Sequence, residues 1–301
     1  MKRAFTLLEV IFTIVILSII GVISAQIISK LYEEYITTRA INELESRTET
    51  TLETIARRLE YRVKGATIAR DKDNETNITS LSNANDSYEI LEWIGYDVDS
   101  FKGDYNSSKG LVVPGWSGFV DLYSPDTNAT QIKIPGSELN IADTFENNLT
   151  EGNVTLHNSK AGLIFKGLAY GYDVKQYGWN CFHNQTNCRS YVYDVNCSTN
   201  DCSEPILRVS PSLSGKEITE QYYLTYSAYA IVPKNNNLYL YYNYRPWHGD
   251  RYSDGEKSLL AENVSTFKFR QIDQVIRLKL CMYKKITDDF NLSFCKEKVV
   301  Y

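Results

Sequence analysis

No proline occurs before Pro114, no cysteine before Cys181, and no ionisable side chain between Val10 and Ala25. Each absence excludes something. Without proline, nothing near the N-terminus is obliged to break a helix. Without charge, the run from Val10 to Ala25 cannot offer a solvated face and calls for an apolar surrounding. Without early cysteines, any disulfide framework is confined to the later part of the chain. Histidine is scarce as well: His157, His183 and His248 stand far apart in 301 residues. There is no G-x-S-x-G, H-E-x-x-H, P-loop or dinucleotide fingerprint. There is also no repeat at a fixed period. The chain therefore offers no clustered catalytic set, does not read as an enzyme, and implies no cofactor. An excess of basic residues is missing too. With 32 Lys and Arg against 37 Asp and Glu, the net charge is −5, which argues against nucleic acid as a partner.

What is present begins at the first residue. MKRA precedes FTLLEVIFTIVILSIIGVISAQII, and Glu9 is the one charge in that apolar stretch. A carboxylate at the edge of a membrane segment costs roughly 2–3 kcal/mol on insertion scales, so something must pair with it. The uninterrupted run is about 18–20 residues, enough to span a bilayer as a helix. Lys2 and Arg3 keep the short N-terminus cytoplasmic, which places the rest outside the cytoplasm. A secretory signal cut after Ser24-Ala25 is the alternative. Against it stand Glu9, where a signal core would not hold an acid, and a helical pattern that continues past the membrane. Leu44, Leu52, Ile55, Leu59 and Val63 fall on one helix face. The simplest reading is one helix from Phe5 to Val63, roughly 85–90 Å long at the α-helical rise. Residues 5–28 form its lipid-soluble part and residues 29–65 an amphipathic part that packs against a globular body, residues 66–301.

MKRA-FTLLEV followed by the apolar run resembles the N-terminus of type IV pilins and of the pseudopilins of type II secretion systems. The resemblance implies a leader, residues 1–4, removed by a prepilin peptidase between Ala4 and Phe5, with N-methylation of Phe5. Glu9 then becomes the fifth mature residue, where the family keeps a glutamate for assembly. Such a glutamate pairs with the terminal amine of a neighbouring subunit, which lowers the cost of burying both charges and sets the register of one helix on the next. Two departures are visible: Ala4 stands where the family usually has Gly, and the membrane part lacks the proline of major pilins. The second points to a minor subunit. The stretch KSLLAENVSTFKFRQIDQVIRLKLCMYKK resembles the C-terminal half of J-type pseudopilins and W-type minor pilins. The implied partners are other pilin or pseudopilin subunits, the prepilin peptidase, the inner-membrane assembly platform and secreted cargo. The implied location is the inner membrane, single-pass with a periplasmic body, and then a pilus or pseudopilus.

The body reads as α+β, the long helix laid on a mostly antiparallel sheet. Residues 66–86 are polar, asparagine-rich and aperiodic, and read as a loop leaving the helix. Strand candidates follow at 88–94, 110–122, 130–134 and 162–170. QYYLTYSAYAIV and LYLYYNYR flank PKNNN as a hairpin, and STFKFRQ and QVIRLKLCMYK flank Ile272-Asp273 as another. An insert at 172–218 holds four cysteines and shows little sign of regular structure. The 23 tyrosines suit half-buried strands, and they also suit surfaces that bind other proteins. Trp116, Trp179 and Trp247 read as packing the sheet.

Cys181, Cys188, Cys197, Cys202, Cys281 and Cys295 form an even, clustered set beyond a membrane segment, which reads as disulfides. Cys281 with Cys295 would staple the C-terminal hairpin. Cys181/Cys188 and Cys197/Cys202 are the simplest local pairs, though four cysteines allow three connectivities. Four thiols and His183 could instead hold zinc, but the spacings are wide for it. Asp250, Asp254 and Glu256 around a glycine turn are weak calcium candidates that also read as a solvated turn. There are eleven N-x-S/T sites, and seven carry Asp or Glu two residues before the asparagine: Asn77, Asn106, Asn128, Asn148, Asn153, Asn196 and Asn291. That pattern resembles the extended sequon of bacterial periplasmic oligosaccharyltransferases and makes these seven asparagines glycosylation candidates.

Overall fold

The fold comes from a computed structural model, which describes residues 6–167, 173–181, 190–286 and 290–301. Among these, the first element is α1 (Leu7–Glu60), 54 residues long. It is followed by β1 (Arg62–Asp71), β2 (Ile78–Ser80), β3 (Tyr88–Gly95), α2 (Val98–Lys102), β4 (Asp104–Asn106), β5 (Leu111–Val113) and β6 (Gln131–Lys133). Next come α3 (Leu139–Leu149), β7 (Gly162–Phe165), β8 (Tyr193–Cys197), β9 (Ile206–Ser210), β10 (Tyr222–Thr225), β11 (Ser227–Lys234) and β12 (Asn237–Tyr244). The chain closes with β13 (Glu256–Ala261), β14 (Val264–Ile272), β15 (Val275–Lys285) and β16 (Asn291–Val300).

The strands form a six-stranded sheet in the order β13-β12-β11-β3-β1-β2, a five-stranded sheet β10-β7-β8-β9-β6, a three-stranded sheet β14-β15-β16 and the ribbon β4-β5. Every pairing is antiparallel. The fold is therefore α+β, as the sequence indicates. Both expected hairpins form. In the first, Asn235 and Asn236 take positive φ between β11 and β12, the backbone that asparagine tolerates in a tight turn. In the second, Asp273 does the same between β14 and β15.

One core lies between α1, one face of the six-stranded sheet and the three-stranded sheet; it includes Leu44, Leu52, Ile55 and Leu59 from the helix. The opposite face of the six-stranded sheet carries a second core with Trp179 and Trp247. The five-stranded sheet has its own core with α3 and Trp116. Lysines of the three-stranded sheet reach helix carboxylates in a row: Lys284 to Glu43, Lys296 to Glu49 at 3.0 Å and Lys298 to Glu53 at 2.6 Å. Arg62, buried just past the helix, donates to the carbonyls of Leu59 at 2.7 Å, Tyr301 at 3.0 Å and Gln274 at 3.4 Å. It joins the helix end, the β14–β15 turn and the last residue.

Four expectations need correction. Of the strand expected at 110–122, only Leu111–Val113 forms, and Pro114 follows it directly. The helix ends at Glu60, and Val63 belongs to β1. Residues 66–71 are strand rather than loop. That strand is central and covered on both faces, with Ile68 in one core and Ala69 in another, so it lacks the alternation that marks a half-exposed strand. The region 172–218 contains β8 and β9, short strands whose apolar residues are interrupted by Asp194, Asn196 and Arg208.

Candidate functional site

Two regions draw attention: the head of α1, and a groove where its last turn meets the body. At the head, Thr6 caps the helix. Its backbone N–H and Oγ1 donate to Glu9 Oε2 at 3.1 and 3.0 Å, while the Glu9 N–H donates to Thr6 Oγ1 at 3.4 Å. This is a reciprocal capping box. Every residue from Thr6 to Tyr35 is exposed, and the first buried helix residue is Ala40. α1 is long and apolar enough to cross a membrane, consistent with a single-pass anchor. Ala4 and Phe5 lie outside the described residues.

The groove encloses about 490 Å³ between the last turn of α1, α2 and the ends of β3 and β11. Its walls carry Tyr61, Tyr96, Tyr226, Tyr229 and Tyr242, with Arg57, Arg58 and Lys102 at the rim. The rings contact one another and their neighbours. Tyr61 meets Tyr96 edge-on at 5.7 Å, Tyr96 stacks on Tyr223 at 4.9 Å, and Tyr229 stacks on Trp93 at 5.7 Å. Gly95 permits this arrangement, because a Cβ there would stand 2.6 Å from the Tyr229 ring. Arg58 lies over Tyr229 at 5.6 Å, Lys102 over Tyr61 at 5.5 Å, and Lys166 over Tyr223 at 4.0 Å, all cation–π distances. Behind the groove, Asp97 is buried and accepts from the Ser100 N–H at 3.1 Å and from the Ser100 hydroxyl. Desolvation pushes its carboxyl up to about 6. No motif announced this convergence. The abundance of tyrosine was the one available signal.

The other sequence candidates fall out as follows. Cys197–Cys202 and Cys281–Cys295 are disulfides, and Cys181 is also disulfide-bonded. Cys188 and His183 lie outside the described residues. The four-thiol zinc reading is overturned, since Cys197 and Cys202 spend their sulfurs on each other. Asp143, His157 and Cys202 come together, but the bonded Cys202 sulfur is no thiolate ligand. Asp250, Asp254 and Glu256 do not converge. Asp250 pairs with Arg245 at 2.8 Å, Asp254 accepts from the Arg251 N–H at 2.8 Å, and Glu256 accepts from Asn243 at 3.2 Å. Of the sequon asparagines, Asn77, Asn128, Asn148, Asn153 and Asn291 are exposed, while Asn106 is half-buried. Asn196 sits in β8 and donates to Ser159 Oγ at 2.7 Å, which makes it the least accessible acceptor.

Comparison with families of known proteins, with curated proteins and with solved structures finds no match to this chain.

Proposed function

We propose that the protein is a minor pilin or pseudopilin that assembles through α1 into the tip or priming complex of a type II secretion pseudopilus. The observation that carries this reading is the first half of α1. Its residues from Thr6 to Tyr35 are exposed, and the apolar run within them, up to Ile28, holds one carboxylate, Glu9, at its head. A helix so exposed in the isolated chain needs lipid or other helices around it. In this reading a prepilin peptidase cuts between Ala4 and Phe5, Phe5 is methylated, and the new amine meets Glu9 of the next subunit. The capping bonds from Thr6 hold the Glu9 carboxylate until a stronger, charged partner replaces them. The body of a minor subunit then contacts secreted cargo or neighbouring subunits rather than catalysing a reaction. A second reading, a minor pilin or tip adhesin of a type IV pilus, is favoured by the tyrosine-lined groove.

The test replaces Glu9 with Ala in the native host. Membrane insertion and a mature N-terminus at methylated Phe5, read by mass spectrometry, should persist. Co-purification and crosslinking to partner subunits should fall at least tenfold. Assembly that is unchanged by Glu9→Ala, or an unprocessed N-terminus in the wild type, would overturn the reading.

A further inference from the structure

We infer that the groove between α1, α2 and the ends of β3 and β11 binds an oligosaccharide carrying isolated carboxylates. The inference uses the groove alone and holds whichever filament, if any, the helix enters. Four features support it. First, the volume of about 490 Å³ lies in the range of ligand pockets, about 300–1,000 Å³. Second, Tyr61, Tyr96, Tyr229 and Tyr242 are half-buried, so each ring keeps part of its surface open to a ligand. Flat rings of this kind pack against the C–H faces of sugars, while their hydroxyls meet sugar hydroxyls.

Third, Arg58 and Lys102 are exposed and held over Tyr229 and Tyr61, and no carboxylate among the described residues lies within ion-pair distance of either. A cation already positioned by a ring loses less freedom when an anion arrives. Arg57 differs, since it pairs with Glu53 at 3.2 Å. Fourth, Asn243 turns its amide nitrogen to Leu149 O and Glu256 Oε1, at 3.3 and 3.2 Å, which anchors a hydrogen-bonding group at the far wall.

The lining also decides between ligands. Aliphatic side chains are few, Val98 and Leu149, so an acidic peptide with an apolar anchor would find little to bury. A nucleic acid carries a phosphate at every step and would meet a chain of net charge −5, with Asp99 in the wall. A glycan with carboxylates spaced by neutral sugars matches both the rings and the two free cations. The larger groove near Lys72, about 610 Å³, lacks this character because Lys72 already pairs with Glu89 at 2.8 Å.

The test uses the full chain in detergent micelles and isothermal titration with three probes. These are a hyaluronan hexasaccharide, which alternates uronic acid with a neutral sugar, neutral chitohexaose, and a single-stranded DNA 12-mer. The hyaluronan fragment should bind at least tenfold more tightly than the other two. Arg58→Ala and Lys102→Ala should each weaken it about tenfold, the effect of losing one charged hydrogen bond. Lys257→Ala, a cation over Tyr239 outside the groove, should change nothing. Both groove substitutions are at exposed side chains, and unchanged melting would confirm that the variants fold. Failure of the hyaluronan fragment to bind, equal binding of chitohexaose, preferred binding of DNA, or indifference to Arg58→Ala and Lys102→Ala would each overturn the inference.

Discussion

Glu146 is fully buried on α3, and neither carboxyl oxygen has a hydrogen-bond partner among the described residues. Desolvation raises its pKa well above the ordinary carboxylate value, and the charges of Asp97 and Asp143 raise it further. The folded protein thus holds a proton that the unfolded chain releases above pH 4.5. Stability from this group is complete below pH 4.5 and is lost as pH climbs toward the folded value. Asp97 acts in the same direction between 3.8 and about 6. Glu146→Met keeps the volume and removes the acid. It should stabilise the protein at pH 7 and raise its melting temperature by a few degrees. The gain over wild type should shrink as pH falls to 4, and thermal melts across pH 4–8 would read it. A gain independent of pH would mean that Glu146 is not the titrating group. The same residue shows where sequence reading stopped. Glu146 is the acid two residues before Asn148, and Asp194, before Asn196, is buried as well. The sequence displays an acid at that spacing but not which way it faces, and an acid on the buried face of α3 makes that helix read as surface.

At the scale of elements, α1 was legible because Leu44, Leu52, Ile55 and Leu59 repeat at helical spacing, and all four are buried. Its end was less so. Tyr61 closes the helix and Arg62 starts a strand whose two covered faces erase the period-two signal. Arg62 has more consequence than its sequence position conveys. Three carbonyls converge on its guanidinium, two of them from segments far along the chain, and burial lowers its pKa. Arg62→Met should leave those acceptors short of a donor and cost about 2–4 kcal/mol by urea unfolding. Lys298→Ala breaks a surface pair with Glu53, screened by solvent, and should leave the urea midpoint nearly unchanged. Equal effects from the two would mean that the helix is held by its charged row rather than by the buried arginine. Neither groove wall nor sheet order could be read in advance. They depend on β11 pairing with β3, a contact between residues more than a hundred positions apart in the chain.

For the whole molecule, the central division is between a body with three cores and a helical stretch that touches none of them. From Leu7 to Ile28 each large apolar side chain is exposed, whereas the helix face that packs on the sheets begins at Ala40. Such an apolar patch is rare on a soluble monomer and is consistent with a single-pass anchor surrounded by lipid or by other helices. If so, the stretch contributes to location and assembly but not to folding. A chain starting at Ser29 keeps Tyr32, Tyr35 and Arg39, which line a small groove together with Lys284 and Ile286 at the end of β15. It also keeps every buried helix residue. It should be monodisperse in water without detergent, and its melting temperature should lie within about 2 °C of the full chain in micelles, the shift of well under 1 kcal/mol expected when no buried contact is lost. Light scattering and thermal melts would check both. Aggregation, or a loss of several degrees, would show that the apolar half supports the body after all. The outcome matters for assembly, because a body that folds without the apolar stretch leaves Glu9 and its neighbours free to be shaped by partners alone.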